Sequence, residues 1–117
     1  MNPSEYLHTH PAIIQKAHTP TELDVLIDLG FGITMQSKLL LLCETADPTS
    51  PDPSEQSAAK AAYRFTTDWA NEDGEMLIQV FHENARSITG DIYNAAGDSL
   101  TSDLLNVGHA EPLRMVA

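Results

Sequence analysis

The sequence predicts a small α+β fold of five strands and two helices, in the order strand, strand, strand, helix, strand, strand, helix. Three observations predict it. Leu23, Val25 and Ile27 alternate with Asp24, Leu26 and Asp28, and Met76, Ile78 and Val80 alternate with Leu77, Gln79 and Phe81, the period of a strand with one buried face. Between these segments Ala58, Ala62, Phe65 and Trp69 recur at steps of four, three and four, which is one apolar stripe of an α-helix. At 117 residues and 42% hydrophobic composition the chain reads as one domain with a single packed core.

Each element has its own local reason. Residues 1–10 are polar, carry His8 and His10, and read as a flexible N-terminal arm; residues 11–112 form the domain and 113–117 a tail. Ile13 and Ile14 open the β-like stretch of residues 12–33, and Gly30 and Gly32 flank Phe31 where the chain must reverse. The next strand, 34–43, contains Leu39-Leu40-Leu41-Leu42, a run that fits a strand buried on both faces. Residues 44–53 hold Pro48, Pro51 and Pro53, which remove amide donors and make a surface loop. Asp52 then reads as an N-cap, with Pro53 at the first helical position and Glu55 three residues beyond the cap, starting a helix that runs to about Ala70. Residues 71–74 end that helix, strands follow from Met76 and over 88–94, and Ala95-Ala96-Gly97-Asp98 is a turn. Thr101 is placed to cap a short last helix through Leu104, Leu105 and Val107, stopped by Gly108.

Charge narrows the partners. Seventeen Asp and Glu against six Lys and Arg give a formal net charge of −11, a field that repels nucleic acid and anionic lipid, so neither direct nucleic-acid binding nor membrane binding is expected. No apolar stretch approaches the ~20 residues that span a bilayer, and Met1-Asn2-Pro3-Ser4-Glu5 lacks the features of a signal peptide, so a cytoplasmic protein is expected. Asp68, Glu72, Asp73 and Glu75 cluster around a helix end and turn, and Glu44, Asp47 and Asp52 mark the proline-rich loop. These seven carboxylates are either a solvated surface or the face that meets a basic partner.

Other side-chain chemistry is sparse. The single cysteine, Cys43, can make neither an internal disulfide nor a zinc site alone, and reads as a small buried residue. His8, His10 and His18 offer three imidazoles, but two sit in the arm without supporting groups, so no metal site and no cofactor are expected. Tyr63, Phe65 and Trp69 could stack on bases, although Phe65 and Trp69 at helical spacing read as core. Gly30-Phe31-Gly32 is a reversal and not a phosphate loop, since no helix start follows it.

The segments Asp24-Val25-Leu26-Ile27-Asp28-Leu29-Gly30-Phe31-Gly32-Ile33, Gly90-Asp91-Ile92-Tyr93 and Leu104-Leu105-Asn106-Val107-Gly108-His109-Ala110 stand in an order that resembles the thermonuclease (staphylococcal-nuclease-like) family. The likeness is to its compact phage and prophage versions and runs over roughly residues 12–112. It implies an OB-fold, a five-stranded β-barrel with two to three helices. Family members hold Ca²⁺ with two Asp carboxylates, activate water with Glu and clamp phosphate with two Arg, each a need of phosphodiester cleavage. The resemblance sets Thr21 and Thr45 at the two Asp positions, Asp47-Pro48 at Pro-Glu, and Leu40 and Ser87 at the Arg positions. Arg86 is one residue from the second clamp, which on a strand faces the other way. His109 falls where phage-type members often carry a non-catalytic His.

No catalytic residue is therefore expected, and the resemblance implies a scaffold that binds. The leading expectation is an inactive, acidic protein-binding inhibitor, a phage anti-defence protein of anti-CRISPR type directed at the basic nucleic-acid groove of a CRISPR effector or another defence nuclease. Two alternatives stay open. A slip of one or two residues would give a divergent Ca²⁺-dependent nuclease with Lys38, Glu44 and Asp47 in a shifted site, and the barrel could equally serve as a structural or assembly module. Digestion of DNA in Ca²⁺ beside binding to nuclease-complex subunits separates them.

Overall fold

Alternation puts Leu23, Val25 and Ile27 on one side of a strand, and all three are completely buried there. That strand is β2 (Glu22–Gly30), which lies between β1 (Thr9–Thr19) and β3 (Ile33–Leu41). A computed structural model of the chain describes residues 9–47, 49–72, 74–84 and 87–112. Within it β4 (Cys43–Thr45), α1 (Pro53–Ala70), β5 (Met76–Glu83), β6 (Ser87–Tyr93), α2 (Leu100–Asn106) and β7 (Ala110–Pro112) complete the chain order. Strands β1-β2-β3-β6-β5 form a closed barrel, and β4 and β7 make a separate two-stranded sheet. Every barrel pairing is antiparallel except β3 with β6, where Lys38 meets Ser87 and Leu41 meets Gly90. A parallel pair needs a crossover, and the segment through α1 and β5 supplies it. The result is a small α+β fold, a closed five-stranded mixed barrel with two helices, consistent with an OB/SNase-like barrel.

The barrel is filled by Leu23, Val25, Ile27, Leu39, Ile78, Ile88 and Ile92, with Leu100 and Leu104 of α2 and Trp69 of α1 packed on the same cluster. Burying each large aliphatic side chain of this set contributes about 1.5–3 kcal/mol. Bulges in β1 at Ile14/Lys16 and Ala17/Thr19, and in the β5–β6 ladder at Val80/His82, bend the strands enough to close the sheet. The β2–β3 hairpin turns through Gly30, Phe31 and Gly32, all at positive φ (84°, 55° and 74°). Phe31 has no Cβ-free backbone to excuse that region, a strain of about 1–2 kcal/mol, and its ring is fully exposed.

Several expectations are corrected. The arm does not extend to residue 10: β1 begins at Thr9, with Thr9 opposite Gln79 and His10 opposite Ile78. The four-leucine run is not buried on both faces. Leu39 and Leu41 point inward, Leu40 is half-buried, and Leu42 is exposed at the kink before β4, because β3 alternates like its neighbours. Asp52 does cap α1, accepting from Ser54 N at 3.0 Å, but Glu55 does not close a capping box; its Oε1 accepts from Asp47 N instead and ties the loop down. The buried stripe of α1 is Ala59, Ala62, Thr66 and Trp69, with Phe65 half-buried and Ala58 exposed. Ser99, not Thr101, caps α2, its Oγ accepting from Ser102 N at 3.1 Å. Helix α2 ends at Asn106, and Val107 is exposed. No helix among the described residues is long and apolar enough to cross a membrane.

Candidate functional site

Register places the positions where catalysis would be sought. Thr21 sits in the tight β1–β2 turn, and its carbonyl accepts from Leu41 N at 2.9 Å. Leu40 lies opposite Glu22 on β2 and Thr89 on β6, and Ser87 lies opposite Lys38. Since Leu39, Leu41 and Ile88 point into the core, alternation turns Lys38, Leu40, Ser87 and Thr89 to the outside together. The outer face thus gathers a leucine and two hydroxyls at these positions, with one cation. That cation is engaged: Lys38 Nζ is 2.9 Å from Glu22 Oε1, and the glutamate raises the ammonium pKa. Arg86 lies outside the described residues.

Asp47, a second member of the shifted site, is likewise committed, whereas Glu44, among the described residues, is not. Asp47 Oδ1 accepts from Thr49 N at 2.8 Å and Thr49 Oγ1 at 2.6 Å, bonds that hold its carboxyl pKa down and close the loop on itself. His18 Nε2 is 2.7 Å from Asp24 Oδ2. His10 and His18 stand eight residues apart along β1, roughly 26 Å at strand rise, and His8 lies outside the described residues. Among the described residues no group of three His, Cys, Asp or Glu side chains is arranged to hold a metal ion. Millimolar Ca²⁺ is accordingly expected to leave the melting temperature unchanged, since a ligand that binds the folded state raises it by mass action. A rise of several degrees in a thermal melt would overturn this and favour the nuclease reading.

Cys43 is 3% exposed, and burial pushes its thiol up to about 11, which keeps it protonated and unreactive at neutral pH. His109 packs its ring on Phe65 with centroids 5.4 Å apart, a structural contact. Sequence reasoning missed one polar network. Asp91, nearly buried, accepts from Ser99 Oγ, from Thr101 Oγ1 at 2.9 Å and from Ile92 N at 2.8 Å, fastening the start of α2 to β6. Its signal was a charged residue on a strand two positions from Tyr93, followed by a Ser and a Thr at a helix start.

The seven acidic candidates do not converge. Asp68, Glu72 and Glu75 are exposed at the C-terminal end of α1, and Asp73 lies outside the described residues. Glu44, Asp47 and Asp52, also exposed, are at the N-terminal end, about 27 Å away for an 18-residue helix. At this second end a cleft of about 380 Å³ opens between β4, α1 and β7, lined by Glu44, Thr45, Glu55, His109 and Glu111. Glu44 and Glu111 are directly opposite each other in the β4–β7 pair. Asp47, Asp52 and Glu55 have local structural roles, as turn former, helix cap and loop tie. Glu44 and Glu111 have no hydrogen-bond or ion-pair partner among the described residues. At the other end Glu72 accepts from Asn94 Nδ2 at 3.0 Å, while Asp68 stands in a last turn without a basic residue, against the helix dipole. No protein-family model matches the chain, and no curated protein matches it.

Proposed function

We propose that the chain is a catalytically silent, thermonuclease-like barrel that works by binding protein. In this reading it is an acidic inhibitor of phage or prophage origin that acts in the host cytoplasm. Its target is the basic groove of a nucleic-acid-handling complex, a CRISPR effector or another defence nuclease. The observation that carries the reading is the Glu44–Glu111 pair, two like charges set face to face at the mouth of a cleft that also holds Glu55. Such a pair lowers stability by some tenths of a kcal/mol up to about 1 kcal/mol, and a cleft of one sign focuses the field that a basic partner would meet. The absence of a cation at Leu40 and Ser87, and the engagement of Lys38 and Asp47 by Glu22 and Thr49, count against the nuclease alternative.

Single- and double-stranded DNA incubated with the chain in Ca²⁺ is expected to stay intact, and subunits of purified CRISPR effectors are expected to retain the chain with an affinity that falls as salt rises. Exposed carboxylates add little to folding, so Glu44→Gln/Glu111→Gln is expected to keep or slightly raise stability while weakening that association about tenfold, the loss of one or two charge pairs at an interface. Asp68→Asn/Glu72→Gln/Asp73→Asn/Glu75→Gln tests the other end of α1 in the same assay. DNA cleavage, or binding that neither variant nor salt alters, would overturn the reading.

A further inference from the structure

In a chain with seventeen acidic residues against six Lys and Arg, one cleft runs the other way. It lies between α1 and the β1–β2 turn, has a volume of about 380 Å³, and is lined by His18, Pro20, Ala59, Lys60, Tyr63 and Arg64. Four Lys and Arg fall among the described residues: Lys16, Lys38, Lys60 and Arg64. Lys38 is paired with Glu22, whereas Lys60 and Arg64, one helical turn apart, both border this cleft and make no ion pair or hydrogen bond among the described residues. Arg64 leaves even Asp68, a turn further along α1, unpaired. Two like charges at this spacing repel and lower helix stability slightly, so their convergence is not explained by folding.

The walls are held in place. Tyr63 OH donates to the Ala17 carbonyl at 2.9 Å, and Thr66 Oγ1 donates to the Pro20 carbonyl at 2.8 Å, clamping α1 to the end of β1 and to the β1–β2 turn. His18 is fixed by Asp24. The site therefore offers an apolar floor of Pro20, Ala59 and the half-exposed Tyr63 ring beside two unneutralised cations, with little ordering left to do on binding.

We propose that this cleft binds a small anion carried on a planar or apolar body, of the aryl phosphate or aryl carboxylate class. The ring would lie on Pro20 and Tyr63 while Lys60 and Arg64 hold the anion through charge-assisted hydrogen bonds. A polyanion is disfavoured at the same surface, because it would extend past the two cations into the field of a chain with a formal net charge of −11. A small ligand meets only local charge, since carboxylates beyond about 8 Å are screened at physiological salt. This inference does not depend on the reading of the Glu44–Glu111 cleft.

The test is an amide NMR titration of the full chain with phenyl phosphate, with inorganic phosphate and phenol as separate arms. Saturable shifts at His18, Lys60, Tyr63 and Arg64 are expected, with phosphate and phenol each binding more weakly. Lys60→Ala/Arg64→Ala, at two exposed helix positions, is expected to lower affinity about tenfold or more, as for loss of hydrogen bonds to a charged group, with an unchanged melting temperature. Lys38→Ala, a cation outside the cleft, is expected to bind as the parent does. Should the double variant fold poorly, Lys60→Gln and Arg64→Gln taken singly repeat the measurement. Shifts that do not saturate or that map elsewhere, phosphate or phenol binding as tightly as phenyl phosphate, or variants that bind unchanged would each overturn the proposal.

Discussion

Replacing Trp69 by Ala is expected to cost about 3 to 5 kcal/mol, the range for truncating a large aromatic in a core. Trp69 is 3% exposed and belongs to the cluster that joins α1 to the barrel and to α2. Its indole Nε1 also donates to Asp103 Oδ2 of α2 at 3.0 Å, so the same side chain ties both helices. Set against the roughly 5–15 kcal/mol that holds a small domain folded, a loss of that size removes from about a fifth to all of the stability. Trp69→Phe keeps most of the apolar contact and loses the hydrogen bond, for which about 1 kcal/mol is expected on top of the change in packing. As the single tryptophan, Trp69 also reports its own setting: its emission should be that of an indole shielded from water. Water-exposed emission in the native protein, or a denaturation midpoint barely moved by Trp69→Ala, would contradict the docking of α1.

How much of this was legible in the sequence depended on whether a signal was local. Strand alternation was readable because each inward residue of β2 and β5 announces itself two positions later, and Asp52-Pro53 marked the start of α1 through cap chemistry alone. The stripe on α1 was misplaced at its first position, at Ala58 instead of Ala59, since small residues occupy both and apolarity does not separate them. Thr66 was overlooked because a hydroxyl does not look like core until its partner, the Pro20 carbonyl, is known. Thr101 was read as the cap, but it already lies within α2; Ser99, in extended backbone just before the helix, donates its hydroxyl to Asp91 and still accepts from Ser102 N.

The candidate sites were less legible than the fold, for the same reason. The acidic residues could be counted, but sequence distance hid that α1 holds its two groups apart. Glu111 went unnoticed because β7 is three residues long and has no periodicity to read. Only the β4–β7 register reveals that it faces Glu44. Lys60 and Arg64 drew no notice, because the cleft they border exists only once Pro20, from a turn about forty residues earlier, is brought against Ala59 and Tyr63 by the Tyr63 and Thr66 bonds.

Gly90→Ala is the substitution for which the backbone itself sets the outcome. Gly90 lies in the middle of β6, opposite Val80 of β5 on one side and Leu41 of β3 on the other, beside the bulge at Val80/His82. A Cβ built on Gly90 would run into the Gln79 carbonyl oxygen, with Gln79 C at 3.1 Å and Val80 Cα at 3.3 Å. None of these is the free end of a side chain, so relief requires β5 to move away from β6. Because β5 also closes the barrel against β1 through Thr9–Ala12 pairing with Gln79–Met76, that movement strains two ladders at once. Gly→Ala at a strand position of ordinary φ otherwise stabilises by about 0.4–1 kcal/mol through the unfolded chain. Here the opposite sign is expected, with a loss at or above the ~3 kcal/mol upper end of ordinary overpacking. Urea unfolding of the variant beside the parent measures it, and a midpoint equal to or above the parent's would mean that β5 and β6 do not pack as closely as the barrel requires.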